Sequence, residues 1–215
     1  MEGQPLQPTA PWSPSTELAT RLPLAIAVVA DTHVPDRFEH LHPHLLPALS
    51  DYQPDLILHA GDICIPEVLK TLATAAPVVA VRGNRDWAFQ NTLPWQREFT
   101  LGGVTVALMH GHGSWRTYVL DKWQYLFNGY QLERYRQRLL TLAPTAQVIV
   151  FGHTHRPVAE WYQGRLFLNP GSAGTGVKPD YLPSFGVIYI QTPEQIQATI
   201  HHLPPFPRRG ANHNA

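Results

Sequence analysis

Six short stretches of this chain set side chains able to bind a cation beside glycine or another turn-former. They are Asp31-Thr32-His33, Gly61-Asp62, Gly83-Asn84-Arg85-Asp86, His110-Gly111-His112, Gly152-His153-Thr154-His155 and Asn169-Pro170-Gly171-Ser172. Carboxylate, imidazole and amide together form a mixed oxygen/nitrogen set that suits Mn, Fe, Zn and similar ions. No stretch is informative alone. Asp31 could cap a helix, Asp62 and Asn84 are natural turn residues, and a pair such as His153/His155 is often only surface. The weight comes from their order and from what precedes each one.

Each of the first five stretches follows an apolar run. Residues 24–30 (LAIAVVA), 55–60 (DLILHA) and 77–84 (PVVAVRGN) read as buried strands. Between them, 42–52 and 66–75 read as helices, with Pro66 suited to a first turn and Pro47 an objection to the first helix. This rhythm implies parallel strands joined by right-handed crossovers. The character then changes: 97–112 reads as a hairpin about Gly102-Gly103, and 158–172 as another about Gln163-Gly164. Between these hairpins, 131–143 reads as a helix and 147–155 as a strand running into a His-rich loop; 185–190 and 197–203 read as late paired strands. Ligand sites in open α/β sheets form at the carboxyl ends of strands, and five consecutive inferred strands end here on a metal-capable side chain. In an extended segment residues two apart share a side, so Asp31/His33 and His153/His155 are each expected to face one site.

The ordered set DTH…GD…GNRD…HGH…GHTH resembles the calcineurin-like metallophosphoesterases, and within them the small single-domain YfcE-like phosphodiesterase branch and its metal-free retromer relative. The resemblance covers roughly residues 24–203. It implies an α/β fold, a four-layer αββα sandwich of two mixed sheets. It implies two divalent metal ions, Mn2+ first, with Fe, Zn, Ni, Co or Mg as alternatives. Asp31, His33, Asp62 and His155 would hold one ion; Asp62, Asn84, His110 and His153 would hold the other, with Asp62 shared. Asp62, Asn84, Arg85 and His110 are the expected catalytic residues, and Arg85, His112 and Ser172 the expected substrate contacts. Two such ions, about 3.5–4 Å apart, would activate a water for attack on phosphorus. Only two of these seven ligands are carboxylates, so the loaded site stays cationic and favours an anionic phosphoester. Many relatives carry His where Arg85 stands. Arginine stays protonated and cannot act as a general acid, but it can clamp a phosphate oxygen, so esters with acidic leaving groups are the expected substrates. A phosphodiester is favoured; a phosphomonoesterase and a non-catalytic scaffold are the alternatives. Asp86 is read either as a partner for Arg85 or as a turn cap.

Composition narrows the partners. Lys plus Arg equal Asp plus Glu, 16 against 16, so no global basic field points to nucleic acid. The partner expected is a small phosphoester, with no membrane and the option of a homo-oligomer. The single cysteine, Cys64, allows no internal disulfide and fits a reducing, cytoplasmic setting. No basic segment precedes the apolar run at 24–30, so a signal peptide is not expected. Residues 1–22 read as a flexible Pro-rich arm, 23–203 as the catalytic domain and 204–215 as a tail. Residues 113–138 form an aromatic-rich insertion that packs on the body, covers the metals or meets a second copy. His40, His42 and His44 read as surface residues and His59 as a core histidine.

Overall fold

The computed structural model describes residues 15–89, 92–113, 129, 131–174 and 182–206. Ten strands form two five-stranded sheets. In chain order they are β1 (Leu24–Val29), β2 (Leu56–His59), β3 (Val78–Ala80), β4 (Gln96–Leu101), β5 (Val104–Met109), β6 (Val148–Val150), β7 (Val158–Tyr162), β8 (Arg165–Asn169), β9 (Ser184–Thr192) and β10 (Gln195–His202). One sheet runs β10-β9-β1-β2-β3 and the other β4-β5-β6-β8-β7. Each is mixed: β1, β2 and β3 are parallel neighbours, as are β5, β6 and β8, while hairpins complete the edges.

Burial on both faces explains the unbroken apolar runs. Alternate residues of β1 divide between two cores. Leu24, Ile26 and Val28 point between the sheets, against Val106, Leu108, Val150 and Leu168 of the second sheet. Ala27 and Val29 point outward, under α2 (Leu45–Ser50) and α3 (Pro66–Leu72). On the other flank Leu139 of α4 (Leu132–Leu142) covers Ala107, Ile149 and Phe167. The order helix, sheet, sheet, helix is the expected sandwich. Pro47 is no obstacle, because it lies in the first turn of α2, where an N–H has no acceptor within the helix. Both hairpin turns place both central residues at positive φ, Gly102 and Gly103 at 53° and 78°, Gln163 and Gly164 at 49° and 74°. That conformation matches the strands' twist.

Two boundaries differ from expectation. The end of the expected arm is ordered: Ser15 caps the short helix α1 (Thr16–Thr20), Leu18 and Leu22 pack on the inter-sheet core, and Gly102 and Gly103 donate to the carbonyls of Leu18 and Ala19. Leu18 and Leu22 are four apart, a pairing hidden among Pro, Ser and Thr. Residues 1–14 of the arm lie outside the described residues. At the other end Phe206 of the expected tail stacks on Phe38 and meets the His42 ring at a tilt, 4.9 Å between centroids. His42 is therefore buried, not superficial, and donates from Nε2 to the Pro204 carbonyl at 2.8 Å. Of the insertion, residues 114–128 and 130 lie outside the described residues.

Parallel strands in register end together. Val29 pairs with His59 and His59 with Ala80, so the loops carrying Asp31, Asp62 and Asn84 leave one edge side by side. Leu108 pairs with Val150 and Val150 with Leu168, which does the same for His110, His153 and Asn169. Truncating an inter-sheet side chain should loosen both rows. Leu58→Ala, at a fully buried position, is expected to cost about 2–5 kcal/mol, read from urea unfolding, whereas Leu182→Ala, 40% exposed, should change stability by under about 0.5 kcal/mol.

Candidate metal centre

The loops at this edge bring all seven expected ligands together. His33 Nε2 lies 3.1 Å from His155 Nε2, 3.8 Å from Asp31 Oδ1 and 3.7 Å from Asp62 Oδ2; His155 Nε2 is 3.1 Å from Asp31 Oδ1. On the other side of Asp62, Oδ1 faces His110 Nε2 at 3.5 Å, while Asn84 Oδ1 is 3.2 Å from that nitrogen and 3.1 Å from His153 Nδ1. Atoms bound about 2.0–2.2 Å from one metal stand roughly 3–3.5 Å apart. The second group has that spacing, the first spans 3.1–3.8 Å, and the carboxylate of Asp62 offers one oxygen to each.

The sharing of a side does not arise from extended backbone, as expected, but from left-handed turns. Asp31, His33, Asp62, His153 and His155 have φ of 53°, 52°, 56°, 70° and 53°. This region is uncommon for side-chain-bearing residues and costs on the order of 1–3 kcal/mol each. Space is equally tight. A β-carbon at Gly61, itself at φ 92°, would lie 2.7 Å from the backbone nitrogen of Gly83 and 2.8 Å from the His110 ring.

Residues outside the ligand set hold these turns. Asp86, 2% exposed, accepts the N–H groups of Ile63 and Cys64 on one oxygen and that of Gly83 on the other, each at 2.7 Å. It is a brace between two loops and not the partner of Arg85. Arg85 pairs with Asp36 at 2.7 Å, and its backbone N–H donates to Asp62 Oδ1 at 2.9 Å. His59 is fully buried; it accepts from the Gly61 N–H and meets the Thr32 hydroxyl. Asn169 donates to the Gly152 carbonyl and to Thr154. Ser172, expected at the substrate, is 1% exposed and donates instead to the Asp31 carbonyl at 2.7 Å. It positions a ligand loop. His112, by contrast, does turn toward the centre, with its ring 5.3 Å from that of His110 and 5.8 Å from that of His153. Asp36 lies far from Arg85 in sequence, and no local pattern announces the pair. Asp86 could have been found from its place in the tight Gly-Asn-Arg-Asp turn.

The electrostatics suit a cation. Burial would raise the Asp31 carboxyl, but His155, His110 and His33 around it hold it well below the usual carboxylate range. Burial pushes the imidazoles of His33 and His112 down to about 2 and about 3 and that of His153 well below its ordinary value. They are neutral, the protonation state metal binding requires. Burial opposes protonation of His110, yet Asp62 and Asp31 raise it. Asp62 is raised by burial against the pull of His110. Asp31 Oδ1 is buried with only the imidazoles of His155 and His33 beside it, at 3.1 and 3.8 Å, a donor-poor setting for a carboxylate oxygen that a cation would relieve. The residues therefore fit divalent metal. A further trio, His33, Asp36 and Cys64, also comes together; burial, then Asp86, pushes the Cys64 thiol up to about 12, so without a cation it is protonated.

Comparison with known proteins agrees. Residues 24–192 match the family model of the calcineurin-like phosphoesterase superfamily domain. A probable metallophosphoesterase of Methanothermobacter thermautotrophicus is 36% identical over 149 residues, 69% of this chain and 77% of that protein. A second, from Methanocaldococcus jannaschii, is 31% identical over 69% of this chain and 68% of its own length. Among solved structures, Vps29 of Entamoeba histolytica complexed with Zn2+ superposes with a TM-score of 0.63 at 26% identity, covering 86% of this chain and 96% of that one. The chain belongs to the calcineurin-like phosphoesterase superfamily, whose reaction is metal-dependent hydrolysis of phosphoesters. Among the described residues no helix is long and apolar enough to cross a membrane.

Removing the Asp86 carboxylate should leave three N–H groups, two buried and one half-buried, without an acceptor. Asp86→Ala is expected to cost about 3 kcal/mol or more, and Ser172→Ala about 1–2 kcal/mol, in urea titrations of the metal-free protein; equal, near-zero losses would contradict the bracing role.

Proposed function

We propose that this protein hydrolyses a small phosphodiester with two divalent metals, Mn2+ foremost, held by Asp31, His33, Asp62 and His155 on one side and Asp62, Asn84, His110 and His153 on the other. The observation that carries this reading is the Asp62 carboxylate, whose two oxygens face two different ligand groups. Bound there, the metals would supply Lewis acidity toward phosphoryl oxygens and a water activated at neutral pH. The chain's own part is to hold the ligands rigid before substrate arrives, so that no reorganisation is needed during reaction. Asn84 accepts from one of the two imidazoles beside it or coordinates with them, and the Arg85 N–H fixes the Asp62 oxygen it contacts.

The kind of leaving group follows from proton supply. The Arg85 guanidinium, held by Asp36 at the rim, can steady a phosphoryl oxygen but cannot deliver a proton. His112 is neutral at working pH for the reason given above. With no acid ready at these two positions, an ester whose leaving group departs as a stable anion is the better substrate. The likeness to Vps29 favours a second reading, a metal-binding scaffold without turnover.

Metal-stripped and Mn-reloaded protein should be assayed on bis-p-nitrophenyl phosphate and p-nitrophenyl phosphate. Turnover that needs metal, favours the diester and drops by at least about 100-fold in Asp62→Asn and His110→Ala is expected; metal binding without any turnover would support the scaffold instead. Calorimetry should also show proton release when metal is loaded at pH 7. His110 must shed a proton that its acidic neighbours help it keep, so apparent metal affinity should weaken as pH falls and strengthen as it rises. An affinity flat across this range would remove His110 from the ligand set.

A further inference from the structure

On the Asn84–His110 side of the centre the surface opens into a cavity of about 710 Å3. Its described lining shares Asn84 and His110 with the centre and adds Arg82, Trp87, Trp95 and Met109. Its character differs from the polar centre beside it. Trp87 is 72% exposed and Trp95 48% exposed. Large indoles left open to water on a cavity wall, next to convergent polar groups, mark a ligand surface.

These rings are not loosely placed. The Arg82 guanidinium carbon lies over the Trp95 ring, 3.9 Å from its centre, a cation–π contact. The His112 ring meets the same indole edge-on at 4.8 Å and 62°. Trp95 is thus fixed from two sides before anything binds, which lowers the ordering cost of a partner. Trp87 opens the 3-10 helix Trp87–Phe89, directly after the Gly83–Asp86 turn that Asp86 braces. One loop therefore places both a candidate ligand, Asn84, and an indole of the wall. The volume falls within the roughly 300–1,000 Å3 typical of small-molecule pockets and accommodates a nucleoside-sized group.

We propose that this cavity receives the non-leaving arm of a phosphodiester ending in a flat aromatic ring of nucleobase size, stacked on Trp87 and Trp95. The proposal rests on reading the adjoining centre as phosphoesterase machinery. Stacking of a base on an aromatic ring tolerates every base, because each has a π-face. The cavity therefore selects a ring over an alkyl chain and does not select one base over another.

The test compares two substrates with one leaving group, thymidine 5′-(p-nitrophenyl phosphate) and ethyl p-nitrophenyl phosphate, on the Mn-loaded full chain. Wild type should favour the nucleoside ester in kcat/KM by roughly 10-fold, and Trp87→Ala and Trp95→Leu should each shrink that ratio by about fivefold or more. Calorimetric binding of thymidine 5′-phosphate and of ethyl phosphate supplies a reading independent of turnover. Turnover of both esters at equal efficiency, or a ratio that neither substitution moves, overturns the proposal and leaves the hydrolase reading standing. Absence of turnover on both esters counts against the hydrolase reading. The cavity is then decided by binding: tighter capture of the nucleotide, weakened in Trp87→Ala, supports it, and equal capture overturns it.

Discussion

The structure depends on keeping a buried carboxylate, Asp62, between two groups of imidazoles that neither pair with it fully nor leave it to water. A carboxylate and several histidines packed at one sheet edge would be unstable if their backbone could relax, because buried polar groups seek hydrogen bonds. Relaxation is blocked on every side. Gly61 and Gly83 let the two loops touch, Asp86 ties them by three N–H groups, and Arg85 donates to Asp62 itself. The inter-sheet core stands behind these loops, so the sandwich holds the cluster in a state that a dication would relieve.

Strain is distributed in accordance with that task. Eight side-chain-bearing residues have positive φ among the described residues, and five of them are the candidate ligands Asp31, His33, Asp62, His153 and His155. A sixth, Cys64, is held there by the same Asp86 brace. Such backbone persists only where surroundings over-determine it. The neighbouring hydrogen bonds do so: Ser172 to the Asp31 carbonyl, Asn169 to the Gly152 carbonyl, and the His153 N–H to Asp31 Oδ2. Asp31 thereby links the loops of both sheets.

Much of this was legible from residues alone, for physical reasons. Buried parallel strands must be apolar on both faces, so the runs at 24–30, 55–60 and 147–150 announced themselves, and strands in register bring their ends together. The convergence of Asp31, His33, Asp62, Asn84, His110, His153 and His155 follows from that. Less legible were features that depend on contacts distant in sequence. Arg85 finds Asp36 and not its neighbour Asp86, since Asp86 is turned inward to three backbone donors. Ser172 points back at Asp31 because the chain re-enters beside β1 only after β8. His42 is buried by Phe206, more than 160 residues away. The left-handed turns are invisible for another reason: Asp and His carry no mark of φ as glycine does, so extended backbone is the natural expectation where Asp31 and His33 in fact take positive φ.

The braces Asp86, Asn169 and Ser172 are absent from the ligand set, and this separates shape from chemistry. A lineage could exchange an imidazole for an inert side chain and keep the outline of the loops, because the mould is cut by residues that never touch the ion. The rim would survive as a surface of fixed relief, free to be recruited as a handle for other macromolecules. Descent along this path would yield silent copies whose backbones still superpose on working ones, so that outline alone is a poor guide to whether a given descendant turns over.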